Sequence, residues 1–215
     1  MTRPAGILAR GPWAPEDVTV RWDDAPYAAP PEADAAADAT LAELAERGSP
    51  THDGMAARMA ALSVGDGGMD MVCQPMRWSL RLGDDAADSL SALCVVRDAG
   101  GRWLAGRRAA WVASWPGRWA LGAGGSVEVG ENPVDTLPRE LHEEWALVPE
   151  RLTVEALIRI PSGMVMLVGL ARVTDATGLV MDAEHDEHAW WPADPLQWPE
   201  EADVPLRLMA TLLTG

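Results

Sequence analysis

One loop-to-helix segment limits what this chain can become, because glycines and carboxylates fall in it at fixed places. Gly124 and Gly125 open it, Glu131 follows, and Arg139-Glu140-Leu141-His142-Glu143-Glu144-Trp145 lies in a stretch that reads as a helix from about Pro133 to Trp145. Asn132 and Pro133 suit the helix start, since an Asn side chain accepts from a free helix amide and proline has no N–H to leave unpaired. On that helix Glu140, Glu143 and Glu144 stand at i, i+3 and i+4, so three carboxylates project from one face. Bare like charges repel. Beside a glycine-rich loop they are explained by hard divalent cations, because Mg²⁺ takes oxygen ligands and completes its shell with substrate phosphates and water.

Around this segment the chain alternates apolar runs with turn signals. Met55 to Val64 and Met69 to Leu82 flank Gly65-Asp66-Gly67-Gly68 and predict a hairpin. Leu90 to Val96, Trp103 to Ala109, Leu152 to Ile160 and Met164 to Val173 read as strands, and helices are expected over about Glu32 to Arg47 and Val204 to Leu213. Strands, helix, strands, helix is the order of an α/β (α+β) sandwich, not of a doubly wound sheet. The expected division is a helix-plus-hairpin extension packed on the core over residues 1–87 and a main domain over 88–215. Cys73 and Cys94 lie in strand-like runs without CxxC spacing and are expected as free buried thiols.

The central segment resembles the Nudix box, Gly-x5-Glu-x7-Arg-Glu-U-x-Glu-Glu-x-Gly-U with U aliphatic. Every specified position matches except Ala146, where the family has glycine. Six charged or glycine matches in register arise by chance on the order of once in 10⁷ windows. The resemblance implies a mixed sheet sandwiched by helices and a Mg²⁺-dependent hydrolysis of a diphosphate, with Mn²⁺ as the alternative metal. It marks Glu140, Glu143 and Glu144 as metal-binding carboxylates, with a carbonyl of Gly125 or Gly124 as a further ligand. Glu131 and Arg139 take the place of the ion pair that holds loop to helix. The general base is either a box glutamate, here Glu140, or an acid of the later segment Asp182 to His188, where Glu184 is the first choice and Glu187 the second; Trp190-Trp191-Pro192 resembles the family's final strand. His185 and His188 are read as incidental to the metal.

Two departures bear on the helix. The box glycine usually takes a left-handed conformation, which costs another residue about 1 kcal/mol; Ala146 is expected to be tolerated because Pro149 ends the helix anyway. Pro138 lacks an N–H for the carbonyl of Val134, a cost of roughly 3 kcal/mol inside a regular helix, and predicts a kinked first turn before Arg139.

With 33 acids against 17 bases the formal charge is -16, which argues against a protein that blankets a nucleic-acid polymer or an anionic membrane. Local cations must therefore admit a diphosphate. Arg107 and Arg108 are the phosphate candidates, with Arg118 behind them, and Trp111, Trp115 and Trp119 are expected near the site, Trp115 as a substrate contact. Pro161 falls near a proline that marks ADP-ribose-cleaving members of the family, and Thr51-His52-Asp53-Gly54 resembles, more faintly, a region of members acting on nucleotide sugars. No signal h-region or apolar stretch of membrane length is visible, so the expected compartment is the cytoplasm. The expected substrate is a small nucleotide, a nucleoside diphosphate linked to a sugar or similar group, and a homodimer fits the family's habit. The rival readings are a Nudix-fold module that senses nucleotides without cleaving them and a prenyl-diphosphate isomerase, which shares the fold.

Overall fold

The computed structural model describes residues 4–50 and 53–214. Among them eight strands make one mixed sheet. These are β1 (Gly6–Trp13), β5 (Leu90–Asp98), β6 (Trp103–Arg108), β7 (Trp119–Leu121), β8 (Ala123–Ser126), β9 (Arg151–Arg159), β10 (Val165–Val173) and β11 (His185–Trp191). The spatial order is β1-β9-β10-β5-β6-β11, with β7 paired to β6 and β8 paired to β5. The pairing of β5 with β10 is parallel and the rest of this sheet is antiparallel. A second sheet holds β2 (Val18–Trp22), β4 (Gly68–Arg77) and β3 (Met55–Gly65), the last two forming the expected hairpin.

The large sheet is covered on both faces. Successive strand residues point to opposite sides, so Leu90, Ala92, Cys94 and Val96 of β5 enter one core and Val95 the other. On the first side helix α2 (Pro133–Trp145) buries Val134, Leu137, Leu141 and Trp145, and the second sheet adds Ala57, Met59, Met69 and Met71 to the same core. On the other side helix α3 (Val204–Thr214) buries Ala210 and Leu213 near Trp103, Trp191 and Trp198. Helix α1 (Pro31–Glu46) packs separately, its Ala37 clustering with Met76 and Leu80. Gly169 on β10 lets α2 close down, since a methyl group there would lie 2.6 Å from Leu137 Cδ1.

The α/β sandwich expected from the sequence is the fold observed. Strand β1 goes beyond that expectation: Gly6–Trp13 adds an edge strand to the large sheet beside β9. β2, β7 and β8 are likewise additions. Helix α2 continues through Pro138, with the Asn132 side chain accepting from the Val134 amide at 3.1 Å. Cys73 and Cys94 are free and buried, and burial pushes both thiols up to about 12. Among the described residues no helix is long and apolar enough to cross a membrane.

Candidate active site

Helix α2 and strand β8 face each other, and their contact builds the site. The Glu144 carboxylate accepts from the Gly124 amide at 3.1 Å, and Glu140 lies against Gly125. Arg139 ties loop to helix: its Nε and Nη2 donate to the two Glu131 oxygens at 2.9 and 3.1 Å, and Nη2 also reaches the Ser126 carbonyl at 3.2 Å. Burial pushes Glu131 up, but bonds from Arg139, the Glu128 amide and Thr136 outweigh it and hold the carboxyl below its usual range. The pair read from the sequence is thus in place.

A cleft of about 330 Å³ opens beside this contact, walled by Glu140, Glu143 and Glu144 of α2, by Gly124 and Gly125, and by Glu184. A second lobe of about 390 Å³ adjoins it, bounded by Gly54, Met55 and Ala56. Trp78, Trp111, Ser126, Glu140 and Glu184 line both lobes, so the carboxylates stand at the junction. Burial raises Glu140 to about 7, with Glu143 and Glu184 adding to it against the pull of Arg139. Glu144 is raised well above its usual value, by burial first and also by Glu140 and Glu184, against the bond from the Gly124 amide. Three carboxylates that repel one another in a partly dry cleft are a donor set for a hard cation.

Among the described residues the acidic groups are not already drawn together in a three-ligand cluster. Instead Arg139 Nη1 bonds both Glu140 at 2.8 Å and Glu143 at 3.2 Å. Glu144 differs: its Oε2 faces His185 Nε2 at 3.8 Å, and no arginine lies within 4.0 Å of it among the described residues. His185 is packed on the Trp145 ring and burial holds its pKa below the usual value, so it is no counter-charge at neutral pH. Its Nδ1 lies 3.2 Å from Asp182 Oδ1, which ties this histidine to the acidic segment.

The remaining candidates divide. Glu184 faces the cleft with Arg108, whose Nη2 stands 3.2 Å from it. Arg107, the next residue toward the N-terminus on β6, points to the opposite face and pairs there with Glu187 at 3.4 Å, beside Arg118 and Trp119. The alternation of a strand separates the two arginines, and neither Arg107 nor Glu187 reaches the cleft. Trp111 and Trp115 line it and are exposed, whereas Trp119 packs at a tilt against Trp191. Pro161 is exposed in the turn between β9 and β10 and lines neither lobe. Thr51 and His52 lie outside the described residues. Two lining residues escape a reading of the sequence, Trp78 and Arg81, which follow β4; their signal, a cation set between Leu80 and Leu82 near a tryptophan, is weak because it reads equally as the end of a strand.

A NUDIX domain family model matches residues 88–211. Isopentenyl-diphosphate Delta-isomerase of Cutibacterium acnes is 36% identical over 95 residues, 43% of this chain and 43% of that protein, so the match spans less than half of the relative's length. Among solved structures, the MutT NUDIX hydrolase from Burkholderia pseudomallei superposes with a TM-score of 0.49 at 22% identity, covering 59% of this chain and 98% of that one. The NUDIX domain of Shewanella oneidensis NrtR, complexed with ADP ribose, gives 0.46 at 23% identity over 59% and 88% of the two chains.

Proposed function

The chain belongs to the NUDIX domain family, and from that premise we propose that it hydrolyses the diphosphate bond of a nucleoside diphosphate linked to a sugar or similar group. The observation that carries this reading is Glu144, a buried carboxylate in the cleft wall with a backbone amide and a neutral histidine for neighbours and, among the described residues, no cation of its own. Glu140, Glu143 and Glu144 would hold Mg²⁺ or Mn²⁺, with the Gly125 loop beside them. When bound, such an ion neutralises charge developing on the phosphates and lowers the pKa of water.

The chain's own groups supply the rest. Glu184 stands in the cleft wall together with the helix carboxylates and is assigned as the base that takes the proton of the attacking water, with Glu140 as the alternative. Arg108 holds Glu184 in place at 3.2 Å and offers positive charge to the phosphates. Trp111 and Trp115 present exposed indoles in the cleft wall for a base or sugar. The test is a panel of nucleotide sugars, ADP-ribose, dinucleoside polyphosphates and nucleoside triphosphates with Mg²⁺ or Mn²⁺, read by mass spectrometry. A nucleoside monophosphate and a phosphorylated second moiety are expected from one of the first two classes; no cleavage of any compound contradicts the reading.

One observation favours a second reading, isomerisation of a prenyl diphosphate: the 36% identity to the Cutibacterium acnes isomerase. Both substrates carry a diphosphate, so the same carboxylates would serve. Proton exchange into an isoprenoid diphosphate without release of phosphate would establish it.

A further inference from the structure

Arg81 lines the cleft but belongs neither to the box nor to the NUDIX-matched residues; it comes from the 3-10 turn Trp78–Leu82 that follows β4. Its guanidinium is largely buried. Nη2 donates to Ser91 Oγ at 2.9 Å and approaches Met164 Sδ at 3.7 Å, and Nη1 donates to Ser126 Oγ. Nε is buried and has no partner among the described residues. Trp78 Nε1 donates to the same Ser126 hydroxyl at 2.9 Å, so the turn is fastened to the residue next to Gly125.

Among the described residues no carboxylate stands within 4.0 Å of Arg81. Arg108, another cation of the cleft, already has Glu184. A guanidinium taken out of water without a carboxylate is unfavourable unless an anion comes to it. Two serine hydroxyls hold the plane of the group, and one Nη1 hydrogen and the Nε hydrogen are left without an acceptor among the described residues. An arginine stays charged and gives charge-assisted bonds to phosphate oxygens. The place is also right, since Arg81 shares the cleft wall with Gly124, Gly125, Glu140 and Glu144.

We propose that Arg81 binds a phosphate of the substrate from the cleft wall, so that the segment preceding the matched domain supplies part of the active site. The assignment rests on reading the cleft as a diphosphate site. Arg81 screens the helix carboxylates for an incoming anion and places one phosphate, while the box acids are left to the cation.

The full chain and its Arg81→Gln variant are titrated with Mn²⁺ alone, followed by electron paramagnetic resonance, and then with imidodiphosphate in the presence of Mn²⁺, followed by calorimetry. The expected result is Mn²⁺ affinity unchanged and imidodiphosphate weakened roughly 10- to 100-fold, the range for a charged hydrogen bond. Arg81→Lys is expected to recover part of the loss; should the glutamine variant fail to fold, the lysine variant decides alone, with weaker imidodiphosphate binding supporting the assignment. Equal imidodiphosphate affinity in the folded variant, a parallel fall in Mn²⁺ affinity, or no binding by the unmodified chain overturns it. Arg81-dependent binding in a chain that cleaves no diphosphate upholds Arg81 and removes the hydrolase reading instead.

Discussion

The carboxylate of Glu140 lies so close to Gly125 that a methyl group built on the glycine would sit 2.2 Å from Oε1. Glycine is required there for space, and what occupies the space is a candidate metal ligand. Gly125→Ala is therefore expected to push Glu140 aside while the helix stays formed. Turnover should fall roughly 10- to 100-fold, as when a group that orients metal ligands is lost, with the far-ultraviolet circular dichroism unchanged. Activity near that of the unmodified chain would show that Glu140 is free to work from elsewhere.

Ala146 ends α2 at φ 53 and ψ 27, the left-handed conformation that the family's glycine adopts without strain. Ala146→Gly should stabilise the protein by about 1 kcal/mol. For a chain of this size that is a rise in Tm of about 2–4 °C, measured by thermal unfolding, with no change in turnover expected.

Arg139 makes bonds to Glu131, Glu140, Glu143 and the Ser126 carbonyl, holding four points of the loop and helix together. Arg139→Met leaves the half-buried Glu131 without its partner, and a loss of about 2 kcal/mol is expected for charge-assisted bonds of this exposure. Chemical denaturation checks it. Because Glu140 is also released from Arg139, Mn²⁺ binding should persist in the folded variant; its abolition would assign Arg139 to the ligand geometry itself.

Much of the candidate site is legible in the sequence, and the reasons are local. The spacing of Glu131, Arg139, Glu140, Glu143 and Glu144 is set within one loop and one helix, and the helix bounds follow from Asn132-Pro133 at one end and the run to Trp145 at the other. The hairpin follows from its Gly-Asp-Gly-Gly turn. What stays hidden depends on partners distant in the chain. β1 carries register breaks and Gly11-Pro12, so it has no clean alternation, and it exists because β9 offers an edge. Ala123-Gly124-Gly125-Ser126 has little strand propensity of its own and is extended by β5. The segment Asp182 to His188 reads as loop, yet from His185 it is β11, fixed by pairing with β6. That pairing brings Glu184 to Arg108, and the same strand geometry turns Arg107 away. Arg81 reaches the cleft only because the 3-10 turn after β4 packs on Ser126.

A pH dependence follows from the buried acids. Glu140 is raised from 4.5 to about 7 and Glu144 well above 4.5, so in the absence of metal these two acids hold more protons in the folded chain than in the unfolded chain from pH 4.5 up to their raised values. Their contribution to stability therefore falls as pH rises from 4.5 through about 7. His185, lowered by burial, acts in the opposite sense below 6.5. The comparison that isolates the carboxylates is with Glu144→Gln, which keeps His185. Without metal this variant should gain on the unmodified chain as pH rises from about 5 to about 7.5. Mn²⁺ should then stabilise the unmodified chain most at the higher pH, releasing protons as it binds. A gap between the two chains that does not change with pH would contradict the burial of these acids.

Whether the carboxylates of α2 make this cleft a metal-dependent hydrolase site is decided by the turnover of Glu144→Gln. It is measured on whichever diphosphate the substrate panel identifies, at saturating Mg²⁺ and with folding checked by circular dichroism. A loss of at least about 10²-fold with the fold intact is predicted. Full activity in the folded variant would contradict the metal assignment.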